Sequence, residues 1–333
     1  MAFESEPAGR WKAFHIHYLH PQDALIAELL QSLIADLKLS GLVAWFFIRY
    51  WEQGPHIRVR LRIRHDNQSI ETRFRSEVQA YMKRRPSISL KDLSGAKAMT
   101  KFLAESEGKS AISTEIMPDN SLHERDYEPE IDKYGGTEGI AIAEHLFHTS
   151  SDLVVSLVRP TSDWDSQRLV IAVACTLLAL RAAGLSQDES CDFLSEAQSH
   201  WARYVSSREL DKWHRVARER QPVWERQMRD MILIADAGQG ALGDVLHRWQ
   251  VAVAEAFGKV DLPGGRILQQ VKHRGTSLDD NAARQFLLLN YIHMHNNRVG
   301  LSPAQEACAM ILSKSVVGGA ARNFDWKWRA NRS

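Results

Sequence analysis

Residues 42–64 read LVAWFFIRYWEQGPHIRVRLRIR. The first part, Leu42–Tyr50, is dense in aromatic and β-branched residues and reads as a buried strand. Glu52–Pro55 supplies a turn, and Ile57–Arg64 returns as a second strand. Successive side chains of a strand point to opposite faces. Ile57, Val59, Leu61 and Ile63 therefore line one face, and His56, Arg58, Arg60, Arg62 and Arg64 the other. A hairpin with one apolar face demands an antiparallel sheet covered on that side. Around it, Trp11–Leu19 alternates as a strand, with Phe14, Ile16 and Tyr18 on one face and His15 and His17 on the other. Asp23–Leu37 carries a helical apolar stripe ending at Gly41, and Ser69–Lys83 reads as another helix.

From Thr137 onward the periodicity becomes helical. The candidates are 139–159, 166–183, 187–205, 223–235, 241–257, 279–295 and 302–312. Asp188 and the pair Ser302-Pro303 are reasonable N-terminal signals, and Gly238-Gln239-Gly240 and Pro263-Gly264-Gly265 are turns. The expected fold class is α+β: an antiparallel sheet with helices over residues 1–135, then a mainly helical half over 136–333, the two able to form one continuous domain.

Composition narrows the function classes. The chain has 333 residues with 44% hydrophobic and 25% charged content, which suits a globular core and excludes disordered and collagenous classes. A net charge of +1 gives no global basic excess for direct nucleic-acid binding. Three scattered cysteines make neither a disulfide framework nor a Cys-based zinc site. Residues 1–14 lack a signal-peptide pattern, and Leu169–Leu180 falls far short of a membrane span, so a cytoplasmic protein with no membrane partner is expected.

Three segments can carry chemistry. Arginines aligned on one strand face repel unless an anion, an acidic partner or solvent meets them. A solvated polar face is the plain alternative, but arginine at each of positions 58, 60, 62 and 64 favours fork-type recognition of carboxylate or phosphate. Tyr127–Gly136, YEPEIDKYGG, places Glu128 and Glu130 before Lys133 and a glycine turn. Tyr291–Arg298, YIHMHNNR, places His293 and His295 two apart, so on a helix they diverge and cannot share a metal. One histidine near an anion site can serve as general acid or base. No phosphate-loop, dinucleotide-binding or GxSxG motif occurs.

In this order, FFIRYW-x-x-GPHIRVRLR, YEPEIDKYGG and IHMHNNR resemble the C-terminal, glutamate-elimination domain of class I lanthipeptide dehydratases, over Trp11 to about Ile311. That domain also occurs free-standing in thiopeptide-type bacteriocin pathways, and the resemblance implies that this chain is the small, separate subunit. It further implies a lyase that removes glutamate from glutamylated Ser or Thr of a ribosomal precursor peptide, leaving dehydroalanine or dehydrobutyrine. The implied partners are the precursor peptide and a separate tRNA-dependent glutamylating subunit; a homodimer is left open. No cofactor and no metal are implied. The family's functional arginines fall on Arg58 and Arg60, its acidic residue on Glu130 and its histidine on His293, while Lys133 stands where the family has arginine. Lysine keeps the charge but loses the bidentate fork. Thiopeptide pyridine synthases resemble the same family and join two dehydroalanines in a formal cycloaddition, a reading for which Tyr291 is available. A non-catalytic precursor-peptide binding subunit is the third reading. The five residues are expected to share one pocket.

Overall fold

The computed structural model describes residues 9–64, 67–88, 94–106, 115–161, 163–262, 264–319 and 326. Residues 1–8 and Pro263, used in the sequence reading, lie outside them. The protein is α+β. The chain divides into two units: Met1–Glu128 with Val154–Trp164, and Pro129–Leu153 with Asp165–Ser333.

In the first unit, β1 (Arg10–His17), β2 (Ala44–Tyr50), β3 (His56–Ile63) and β4 (Ser121–Arg125) form a sheet in the order β2-β3-β1-β4. Every pairing is antiparallel. The expected alternation holds. Phe14, Ile16, Trp45, Phe47, Ile57, Val59 and Leu61 are each wholly buried. They pack with the apolar stripe of α1 (Gln22–Leu25) and α2 (Gln31–Leu39) and with α3 (Gln68–Arg84), where Phe74 meets Phe14 at 4.8 Å between ring centroids. Between α1 and α2 the chain makes a π-helical turn, Ile26–Leu30. This widened turn sits inside a stretch that apolar spacing alone reads as one regular helix. Two elements of this unit went unread in the sequence: α4 (Ser94–Ser106) and β4, which adds the last strand beside β1.

The second unit is helical, as expected. A single turn, α5 (Ile131–Tyr134), leads into α6 (Gly136–Leu157), and α7 (Trp164–Ala182) follows. Then come α8 (Gln187–Ala202), α9 (Ser207–Glu219), α10 (Gln221–Ala237) and α11 (Gly240–Val260). A further turn, α12 (Ile267–Gln270), precedes a two-stranded ribbon, β5 (Lys272–His273) with β6 (Thr276–Ser277). The last elements are α13 (Asp280–Val299) and α14 (Pro303–Gly319). Residues 172–180 of α7 are buried all round, which explains their unbroken apolar run. Among the described residues no helix is long and apolar enough to cross a membrane.

The starts of α8, α9, α13 and α14 each carry a side-chain cap. Ser186 caps α8 in a reciprocal box with Glu189, so Asp188, read as the start signal, sits inside the first turn. Ser206 and Glu209 repeat the device at α9, a helix missing from the sequence reading. Ser302 accepts from the Gln305 amide, with Pro303 at the first helical position, as the sequence indicates.

Candidate functional site

The strand register assembles one polar sheet face in the first unit. His56 lies level with Tyr50, Arg58 with His15 and Ile48, and Arg60 with Ala13 and Phe46; His15 also pairs with His123 on β4. Part of the face is buried rather than solvated, although Arg58 and Arg62 are half-buried and Arg64 is exposed. His17 and His56 are each 1% exposed and Arg60 9%. Burying guanidinium groups is costly unless they are held, and here each is seated. Arg58 lies over the Tyr50 ring, its Cζ 3.5 Å from the centroid. Its Nε donates to His56 Nε2 at 3.0 Å and its Nη2 stands 3.5 Å from the Glu52 carboxylate. Arg60 faces the Phe46 and Tyr127 rings at 5.5 and 5.7 Å and donates to the Arg58 carbonyl at 3.4 Å.

The arginine fixes a tautomer. Its Nε can only donate, so His56 Nε2 is an acceptor and the proton sits on Nδ1, which then donates to the Gly54 carbonyl at 2.8 Å. Burial, with the neighbouring arginines as a lesser cause, holds these imidazoles neutral: His15 is lowered to about 2 and His56 to about 3. His17 is lowered to about 4, by burial and then by His123, Arg125 and Arg58. Burial also lowers Arg58 from its ordinary range.

The other two motifs meet inside the second unit. Tyr134, in the YGG segment, stacks on Tyr291 of α13 at 6.0 Å with an interplanar angle of 7°. Gly135, at φ +87°, ends α5, and a Cβ there would lie 2.4 Å from the Ile267 carbonyl oxygen. Only glycine fits that close approach. Lys133 Nζ donates to both oxygens of Glu130 at 3.4 and 3.3 Å, and Glu130 is largely exposed. Lys133 therefore faces its own acid in the same turn.

On α13 the two histidines diverge, as the spacing requires. His295 is buried, stacked on Trp249 at 4.1 Å and bonded through Nδ1 to Ser150 Oγ at 2.9 Å. His293 is 31% exposed, packs on Trp201 at 4.8 Å, and its Nδ1 lies 2.7 Å from Glu306 Oε1. Glu306, on α14, is 1% exposed, and burial raises its carboxyl above the ordinary range while His293 opposes the rise. A buried acid holding Nδ1 leaves the histidine's Nε2 as its working nitrogen. Sequence reasoning missed Glu306. Its only signal was a single acid inside the small and apolar run AQEACAMIL. Arg298, the last residue of the motif, is wholly buried, donates to Ser151 Oγ at 3.1 Å and to the Met294 carbonyl at 2.6 Å, and is structural.

Thus Arg58 and Arg60 belong to the first unit, and Glu130, Lys133 and His293 to the second. Tyr291 is 1% exposed and packs against Tyr134 and Phe257, so its ring is core rather than surface.

Comparison with known proteins gives a family match over residues 11–316, to the family described as lantibiotic biosynthesis dehydratase C-term. No curated protein matches significantly. Similar solved structures include the pyridine synthase TbtD from thiomuracin biosynthesis, at 20% identity and TM-score 0.72, covering 94% of this chain and 98% of that one. TsrL matches at 17% identity and TM-score 0.63, covering 94% and 96%. The tRNA-dependent lantibiotic dehydratase MibB from Microbispora sp. 107891 matches at 18% identity and TM-score 0.56. In that last pair 97% of this chain is covered but only 29% of the longer dehydratase. At these identities the structures share the fold.

Proposed function

The chain belongs to the lantibiotic biosynthesis dehydratase C-terminal family, and on that footing we propose that it eliminates glutamate from glutamylated Ser or Thr of a ribosomal precursor peptide. The observation that carries the reading is the pair Arg58 and Arg60, drawn into a sheet face and held there by aromatic rings and a neutral histidine. Guanidinium groups that are already desolvated and oriented need no reorganisation when a carboxylate develops beside them.

In the elimination, a base takes the proton from the peptide Cα and the electron pair forms the Cα=Cβ bond. The Cβ–O bond breaks, and glutamate departs with its ester carboxyl now a carboxylate. Arg58 and Arg60 bind that carboxylate and polarise the ester carbonyl. His293 moves the proton, either from Cα or to the leaving group, with Glu306 fixing its ring. Lys133 adds a third positive charge, and Glu130 orients the cationic groups, beginning with Lys133. The precursor peptide and a separate glutamylating subunit are its partners, and the reaction takes place in the cytoplasm, where charged tRNA is made.

A purified-protein assay with three substrates tests it. Loss of the glutamate adduct from a glutamylated peptide is the expected result. Macrocyclisation of a bis-dehydroalanine peptide would instead make the chain a pyridine synthase. Binding of leader peptide with no turnover of either substrate would make it a docking subunit.

A further inference from the structure

His15, His17 and His56 come together on the polar sheet face because β1 and β3 pair in a register that sets His15 level with Arg58. The His17 and His56 rings stack at 4.5 Å between centroids, and His15 lies 5.1 Å from His56. One ligating nitrogen from each residue falls within 4.8 Å of the other two. We infer that these three histidines form a binding site for a borderline divalent ion of the zinc class, on the same sheet face as Arg58 and in competition with its hydrogen bond to His56.

Four observations support the site. With metal–nitrogen bonds of about 2.0–2.1 Å, tetrahedral ligands stand about 3.3 Å apart, so the rings of His15 and His17, now 32° and 24° from the plane of His56, must turn to bring their nitrogens onto one ion. Two of the three rings are buried, on adjacent paired strands, which fixes the backbone positions from which they reach the site. The His56 Nδ1–H donates to the Gly54 backbone carbonyl, the outer-shell arrangement that aims the lone pair of Nε2 at a metal. Finally, His17 Nδ1 is buried with no hydrogen-bond partner, a costly condition that coordination relieves.

The neighbours define what else binds. Arg58 Nε now occupies the His56 lone pair, so the ion must displace that hydrogen bond, leaving Arg58 on the Tyr50 ring and near Glu52. Arg58 and Arg60 oppose a bare dication. Three neutral imidazoles leave a fourth position open, and the arginines make an anion its natural occupant: a carboxylate or hydroxide. His123 touches His17 edge-on, but it is not among the nitrogens that lie within 4.8 Å of one another.

The test is a Co2+ titration of the full chain after chelator treatment, read by visible d–d absorption and by metal content. One ion per chain with the bands of a four-coordinate site is expected. His15→Gln, His17→Gln and His56→Gln should each weaken binding by more than about a hundredfold, since even an outer-shell partner is worth about 10–100-fold. His123→Gln should keep the bands. Arg58→Gln should tighten binding, because it removes both the competing donor and a repelling charge. His15 is the least buried of the three, so His15→Gln, checked for native circular dichroism, decides the matter if the other two variants misfold. Co2+ binding that is unchanged in folded His15→Gln, or absent from the native chain, overturns the site.

Discussion

Glu306→Gln is the sharpest test of how His293 works. The carboxylate has one strong partner, His293 Nδ1 at 2.7 Å, and a weaker one, the Asn296 amide, which donates to Oε2 at 3.5 Å. As carboxylate, Glu306 accepts from Nδ1–H and leaves the lone pair on Nε2. A glutamine there is sorted by Asn296, whose amide N–H selects the glutamine oxygen. The glutamine amide is then turned toward His293, where it donates to Nδ1 and drives the ring proton to Nε2. The histidine becomes the wrong tautomer without moving. The cost should approach the whole contribution of a general base, about 10²–10⁴-fold, or about 2.7–5.4 kcal/mol at 1.36 kcal/mol per decade. The assay is single-turnover release of glutamate from a glutamylated precursor, with peptide affinity measured separately. Glu306→Gln and His293→Ala should both accumulate glutamylated peptide while still binding it. A folded Glu306→Gln that turns over within threefold of the native chain, beside an inactive His293→Ala, would refute the tautomer argument. Full activity in His293→Ala would remove the histidine from the mechanism altogether.

Arg60→Lys keeps the charge but loses the fork, and should lower turnover by about a hundred- to a thousandfold, the worth of one donor to a developing oxyanion; an equal loss of peptide binding would make Arg60 a docking residue instead. Lys133→Arg should be tolerated and speed glutamate release by restoring a bidentate donor; a slower variant with unchanged folding would show that the Glu130–Lys133 pair needs the shorter cation. Acid should destabilise the fold through His295, lowered to about 3 by burial and then by Arg298. Because the folded value lies below the unfolded one of about 6.5, its contribution is complete above that pH and declines as pH falls toward about 3. At pH 5.5 the loss is on the order of 1 kcal/mol, so urea unfolding of His295→Gln should be weaker at pH 7.5 yet flatter with pH; parallel slopes would sink the assignment.

The hairpin of residues 42–64 was legible because alternation in PHIRVRLRIR leaves one assignment of faces, and the helices because their apolar stripes are long. What stayed hidden depends on distance in sequence or on polar segments. β4 is SLHER, too short and too charged to read as a strand until β1 offers it a partner. In α9 only Ala217 is buried, yet Leu210, Trp213, Val216 and Ala217 keep helical spacing and the Ser206–Glu209 capping box marks the start, so this helix was readable in the sequence. The alternation of His15 and His17 was plain, but their meeting with His56 needs the β1–β3 register, which nothing local encodes. Glu306 shows the same limit: the sequence displays an acid in an apolar run, and only the packing of α13 with α14 reveals which histidine it serves.

The arginine face and the histidine cluster are two sides of one electrostatic problem. A guanidinium group buried beside protonated imidazoles would add like-charge repulsion to its desolvation cost. Neutral imidazole removes the repulsion and supplies an acceptor, which is how His56 holds Arg58. An ordinary carboxylate in that place would also hold the arginine, but it would cancel the charge that a substrate carboxylate needs. The structure keeps the acid Glu52 at 3.5 Å and gives the 3.0 Å contact to an uncharged partner. Arg58 is thus oriented chiefly by a neutral partner, and its ion pair with Glu52 is the longer contact. His56→Glu should therefore hold the arginine in place and still weaken binding of a glutamylated peptide, whereas His56→Gln, an uncharged acceptor, should retain more of it. Comparing the two affinities at one ionic strength separates orientation from charge, and tighter binding by His56→Glu would contradict the account.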